Sequence, residues 1–113
     1  MNQNAEISKK VQALQALEQQ LQQISMQKQA VQVELNESIN ALTELSKTKD
    51  EVYRIMGGIM MRADPTILIA ELSEKKRVLE LRMQAVEKQE KIIEDKSRKL
   101  RDELNTVVKS VKK

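Results

Sequence analysis

Every strong helix breaker in this chain falls in one short window: Gly57, Gly58 and Pro65 are its two glycines and its one proline. Outside residues 57–65 nothing in the backbone chemistry interrupts a helix, and both flanks are rich in good helix formers such as Leu, Glu and Lys. The chain is therefore expected to be mainly α, with one long arm on each side of a short extended middle: helices over about 5–50 and 65–111, and a β-hairpin over 52–63. At 113 residues the whole reads as a single domain, residues 1–113.

Apolar residues in the first arm recur at spacings of three and four. Taking Leu21, Lys28, Leu35, Leu42 and Lys49 as heptad a positions places Leu17, Ile24, Val31, Ser38, Leu45 and Val52 at d. Lys28 and Ser38 intrude into this seam, and Ile39 is expected to replace Ser38 in part. Before Leu17 the phase reads as slipping, because Ile7, Val11 and Leu14 fit a register displaced by three, so the seam is expected to splay near the N-terminus. In the second arm Leu72, Leu79, Val86, Ile93, Leu100 and Val107 fall at a constant interval of seven. The companion row, Lys76, Met83, Glu90, Ser97, Leu104 and Val111, is polar in its middle. A sustained seven-residue repeat argues for a supercoil rather than an isolated surface helix. Two arms of about 65–70 Å each, at 1.5 Å per residue, pair most simply as a long antiparallel coiled-coil hairpin.

Val52 to Pro65 joins the arms. Val, Tyr and Ile favour strands, and Gly57-Gly58 suits a two-residue hairpin turn that needs positive φ at both positions. Folded about that turn, Val52, Met56, Ile59, Met61 and Ala63 share one face with Arg54, while Tyr53, Ile55 and Met60 share the other with Arg62. Asp64 reads as a helix N-cap, with Pro65 at the first helical position. This hairpin is apolar on both faces, and alone it is marginal in water. Either it is a sticky linker, or several copies pair edge to edge into a sheet or barrel that assembles an oligomer with projecting coiled coils. The second reading explains why the two faces do not alternate in polarity.

Composition removes most enzyme chemistry. Cys and His are absent and Tyr53 is the one aromatic, so thiol nucleophiles, imidazole bases and the usual metal-ligand clusters cannot be built. Neither phosphate-binding glycine pattern occurs. No catalytic residue, cofactor or metal site is expected. Net charge is +3, with acids and bases interleaved as on a solvated helix face, which speaks against a nucleic-acid partner. No apolar run reaches the roughly 20 residues of a membrane span, and Met1 to Glu6 lack a signal-peptide pattern. A soluble cytoplasmic protein with no membrane association is the expectation.

Two surfaces remain as candidates for binding. At the helix ends, Ile7, Val11, Leu14 and Leu17 of one arm lie opposite Leu104, Val107, Val108 and Val111 of the other. They either zip closed, or stay partly exposed as an apolar surface rimmed by charge that grips unfolded chains without sequence preference. The basic tail Lys109, Lys112 and Lys113 is either solvated decoration or a docking element for an acidic partner. A structural scaffold or tether binding one defined partner is the competing reading; it would need no apolar hairpin.

Several stretches together resemble the β-class subunit of prefoldin, most like the archaeal form: Gln27-Lys28-Gln29, Leu35-Asn36-Glu37, Ala41-Leu42-Thr43-Glu44-Leu45, Val52-Tyr53-Arg54, Gly57-Gly58-Ile59-Met60-Met61-Arg62, Leu79-Glu80-Leu81-Arg82 and Glu87-Lys88-Gln89-Glu90. The single hairpin between the arms matches that class, whereas Met60-Met61 and Asp64-Pro65-Thr66 are unusual for its connector. The resemblance implies a hexamer of two α and four β subunits, whose hairpins form a β-barrel platform from which coiled coils hang. It also implies an ATP-independent chaperone that captures unfolded polypeptides at the coiled-coil tips and delivers them to a group II chaperonin. Carried onto this chain, the tip residues are the eight named above. The oligomerisation hairpin is Val52, Tyr53, Ile55, Met56, Gly57, Gly58, Ile59, Met60 and Met61. Chaperonin docking falls on Lys109, Lys112 and Lys113.

Overall fold

A computed structural model describes residues 3–111, with the backbone alone at Val111. The element order is α1 (Gln3–Lys47), β1 (Val52–Met56), β2 (Ile59–Ala63) and α2 (Pro65–Val111). Helix α1 has Glu6 in its first turn and Lys47 in its last, the signs that complement a helix dipole. It stops at Lys47, earlier than the heptad pattern suggests. Asp50 donates its backbone N–H to Thr48 Oγ1 at 3.3 Å, a local bond that competes with continuing the helix. Val52, which also ends the heptad series, consequently belongs to β1, where the expected hairpin of 52–63 begins. Helix α2 starts where expected: Thr66 donates its N–H to the Asp64 carboxylate at 2.9 Å, and Leu68 N–H reaches the Asp64 carbonyl at 3.0 Å. That is an N-cap followed by proline at the first helical position.

The chain forms two compact units, Ala30–Gln84 and Met1–Gln29 with Ala85–Lys113. In the first, the buried residues Val31, Leu79 and Met83 cluster with Leu35 packed against them, and Ser38 is buried as well. Ser38 satisfies its hydroxyl by donating to the Glu34 carbonyl at 3.0 Å. Ile39 is exposed and does not take over the Ser38 position. In the second unit Ile24, Val86 and Ile93 form the core, with Leu17 and Leu21 against them; Leu104 and Ser97 are also buried. Each fully buried aliphatic side chain contributes about 1.5–3 kcal/mol.

The expected slip of phase before Leu17 is absent. Positions turned inward along α1 run Ile7, Lys10, Leu14, Leu17, Leu21 and Ile24, alternating three and four without a break. Lys10 fills the missing step, and Val11, chosen from the sequence because it is apolar, is exposed. The long lysine stem lies along the seam while its ammonium reaches Glu103 at 3.2 Å and Glu6 at 3.7 Å.

Candidate functional site

Strands β1 and β2 pair antiparallel, with Val52 opposite Ala63, Tyr53 opposite Arg62, Arg54 opposite Met61, Ile55 opposite Met60 and Met56 opposite Ile59. Gly57 (φ 56°) and Gly58 (φ 79°) both occupy the positive-φ region, which the tight two-residue turn between the strands demands. This register produces the two faces read from the sequence. On one, Arg54 reaches Glu71 of α2 at 3.2 Å, and Val52, Arg54 and Ala63 are half-buried. On the other, Glu51 gathers two donors: the Tyr53 hydroxyl at 2.5 Å and the Arg62 guanidinium at 2.6 Å. The bond to Glu51, with some loss of hydration, raises the Tyr53 pKa. Tyr53, Ile55, Met56, Ile59, Met60 and Met61 are all exposed, so large apolar side chains stand uncovered on both faces. Ile67, just inside α2, is exposed too. A contiguous exposed apolar patch of this kind marks an interaction surface.

The helix-end residues behave differently. Leu104 is buried, and Ile7, Leu14, Leu17, Val107 and Val108 are half-buried. The splayed arrangement expected there is replaced by side chains turned inward, the zipped alternative. Lys109 is exposed, whereas Lys112 and Lys113 lie outside the described residues, and the side chain of Val111 does too. Further along the same unit, Lys28 donates to the Glu90 carboxylate at 3.1 Å, and that hydrogen bond, with the negative charge of Glu90, raises the Lys28 pKa. Arg101 and Glu18 make another link between the helices at 3.6 Å.

The glutamine-rich run of α1 lines a shallow recess with Gln20, Gln23, Gln27, Ile24, Gln89 and Ile93. Its volume of about 150 Å³ is well below the roughly 300–1,000 Å³ typical of small-molecule sites. Among the described residues no group of three or more potential ligands is placed to hold a metal ion, and no helix is long and apolar enough to cross a membrane. Among the described residues the exposed apolar hairpin is a more prominent feature than this recess.

Two long helices joined by a β-hairpin define the class: a coiled-coil hairpin whose connector exposes apolar side chains on both faces. Known proteins share this arrangement. A family profile described as prefoldin subunit matches residues 8–110. The prefoldin subunit beta of Thermococcus onnurineus (strain NA1) is 36% identical over 98 residues, covering 85% of this chain and 84% of that one. The prefoldin subunit beta of Methanospirillum hungatei JF-1 is 30% identical over 113 residues, or 98% and 94% of the two chains. Among solved structures, the crystal structure of the prefoldin beta subunit from Thermococcus strain KS-1 superposes with a TM-score of 0.83 at 33% identity, covering 89% of this chain and 90% of that chain. The chain belongs to the prefoldin subunit family.

Proposed function

We propose that this chain is a cytoplasmic, ATP-independent chaperone subunit of the β class, acting as one prefoldin-like domain with no catalytic step and no cofactor. Its hairpin joins other subunits, an α subunit among them, in a hexamer of two α and four β chains with the strands closed into a barrel platform. The observation that carries this reading is the uncovered apolar hairpin on a chain of the prefoldin family. A lone two-stranded sheet with Ile55, Ile59 and Met60 in water is marginal. Pairing its free edges and burying both faces against neighbouring hairpins removes both costs at once.

Capture of unfolded polypeptide falls to the helix ends: Ile7, Val11, Leu14, Leu17, Leu104, Val107, Val108 and Val111. Val11 already faces outward and Val107 and Val108 are only half-buried, so small openings of the last turns offer apolar contacts to a client. Each such contact is weak. Several arms held on one platform raise the effective concentration of the rest once one has bound, so avidity replaces tight single-site binding. Handover to a group II chaperonin uses the lysine-bearing C-terminus, Lys109, Lys112 and Lys113, against an acidic surface.

The reading is tested by mixing the chain with a prefoldin α subunit, measuring mass by sedimentation, and following light scattering from a denatured model enzyme without nucleotide. Assembly and reduced scattering are expected. Deleting residues 1–11 and 105–113 abolishes the reduction while assembly persists, and Ile55→Asp or Ile59→Asp gives small species that keep their helical circular dichroism. A chain that stays monomeric with the α subunit, or an assembly that leaves scattering unchanged, refutes the proposal in favour of a tether for one defined partner.

A further inference from the structure

Methionine is concentrated where assembly is proposed to occur. Among the described residues, Met56, Met60 and Met61 sit within the hairpin at 54%, 67% and 50% exposure; Met26 on α1 is 66% exposed, and Met83 is buried at 8%. Leucine or isoleucine would supply the same apolar surface without an oxidisable atom. The hairpin register distributes the three sulfurs over both faces: Met56 and Met61 share a face with Arg54, while Met60 stands with Tyr53 on the other, opposite Ile55. No face of the hairpin is free of an exposed thioether.

Resting on the assembly reading above, we propose that Met56, Met60 and Met61 form an oxidation-sensitive modification site that prevents the free subunit from assembling when hydrogen peroxide converts them to sulfoxides. A lone pair on the thioether sulfur attacks one peroxide oxygen. The S–O bond forms as the O–O bond breaks, and the departing hydroxide takes up the remaining peroxide proton to leave water. Sulfur is oxidised by two electrons and the peroxide reduced by two. The product is polar and chiral where the precursor was flexible and apolar. Its oxygen is a strong, well-hydrated acceptor, and burying it between hairpins costs desolvation on both faces. In the assembled form the same sulfurs are covered, so modification selects free subunits and leaves finished particles intact. Methionine sulfoxide reductases reverse the product, which makes the block a reversible one.

The remaining methionines are internal controls. Met26 is as exposed as Met60 but lies outside the hairpin, so it reacts at a similar rate without consequence for assembly. Met83 is shielded and reacts last. The experiment treats the free chain with hydrogen peroxide, removes the peroxide, and maps the added oxygen by peptide mass spectrometry. The chain is then mixed with a prefoldin α subunit and sedimented. Expected are oxidation at Met26, Met56, Met60 and Met61 ahead of Met83, unchanged helical circular dichroism, loss of the assembled species, and its recovery after reductase treatment. In a chain carrying Met56→Leu, Met60→Leu and Met61→Leu, peroxide leaves the extent of assembly equal to that of the same chain untreated, whereas Met26→Leu loses assembly on peroxide treatment as the parent does. Assembly of the fully oxidised hairpin, or equal loss of assembly in the triple leucine chain, overturns the inference. Failure of the untreated chain to assemble refutes the assembly reading itself, and the switch with it.

Discussion

Replacing Ser97 by alanine should make the protein more stable, even though it removes a polar group from a helix. Ser97 is 2% exposed, and its hydroxyl has no hydrogen-bond partner among the described residues. A buried hydroxyl left unpaired carries a penalty of about 1–3 kcal/mol, and serine is also a poorer helix former than alanine by up to about 0.7 kcal/mol. Against these stands the packing lost with one oxygen atom, which is small because the β-carbon stays in place. The net expectation for Ser97→Ala is a gain of about 1–2 kcal/mol, with each kcal/mol worth roughly 4 °C or more in melting temperature for a chain near this size. Ser38 supplies the comparison. It is equally buried, at 3% exposure, but donates to the Glu34 carbonyl at 3.0 Å. Ser38→Ala loses a hydrogen bond worth about 0.5–1.5 kcal/mol and recovers most of that in helix propensity, so it should be close to neutral. Thermal melts by circular dichroism and urea titrations at one fixed protein concentration measure both, since the concentration of an oligomer shifts its midpoint. A Ser97→Ala chain that is less stable than the parent, or no better than Ser38→Ala, refutes the reasoning that the two hydroxyls differ in their pairing.

Three further outcomes follow from the geometry. Lys28→Glu sets like charges at the Lys28–Glu90 contact and lowers the urea midpoint, and adding Glu90→Lys restores most of the loss in a double-mutant cycle. Because the Lys28 pKa is raised in the folded chain, the stability this lysine contributes is complete below its unfolded pKa and is lost as pH rises through the folded one. The difference between the parent and Lys28→Met should hold from neutral to mildly alkaline pH and shrink only beyond the ordinary lysine range. Gly58→Ala meets no steric obstacle, yet its φ of +79° strains any L side chain; a cost of about 1–2 kcal/mol should accelerate amide exchange in β1 and β2 roughly 5–30-fold, while Gly57→Asn has a smaller effect. Asp64→Ala removes the carboxylate that caps α2 and should cost about 1 kcal/mol in thermal stability, with Asp64→Asn largely sparing it.

The parts of this fold legible in the sequence are those governed by local rules. Gly57-Gly58 demanded a positive-φ turn, Asp64-Pro65 announced a helix start, and the seven-residue spacing from Leu72 to Val107 defined the face of α2 that turns inward. What escaped was decided by partners distant in the chain. Lys10 has no place in the apolar pattern, and nothing near it in sequence reveals that Glu103 waits across the seam. Val11 was favoured for its hydrophobicity, and one wrong apolar choice converted a continuous repeat into an apparent slip. The salt link of Glu51 to Arg62 depends on strand register, which the turn specifies but the composition does not. Ser97 and Ser38 both fell at seam positions in the heptad reading; only the folded packing shows that Ser38 has a hydrogen-bond acceptor and Ser97 has none among the described residues. For the candidate surfaces, the hairpin's exposure followed from its two apolar faces, whereas the helix-end side chains lie mostly inward because the uninterrupted repeat carries them there.

Among the described residues, two of the three charge pairs that link the helices have the same polarity; Arg101 of α2 with Glu18 of α1 has the opposite one. Lys10 and Lys28 come from α1, and the carboxylates that meet them, Glu103 and Glu90, come from α2. Were two copies of α1 to lie together, Lys10 would keep Glu6 of its own helix, but Lys10 and Lys28 would lose Glu103 and Glu90, so these two pairs act as a code that favours the complementary arm over a duplicate. In a crowd of identical subunits, each bearing the same greasy heptads, that code biases every chain toward closing on its own second half before its hairpin meets a neighbour.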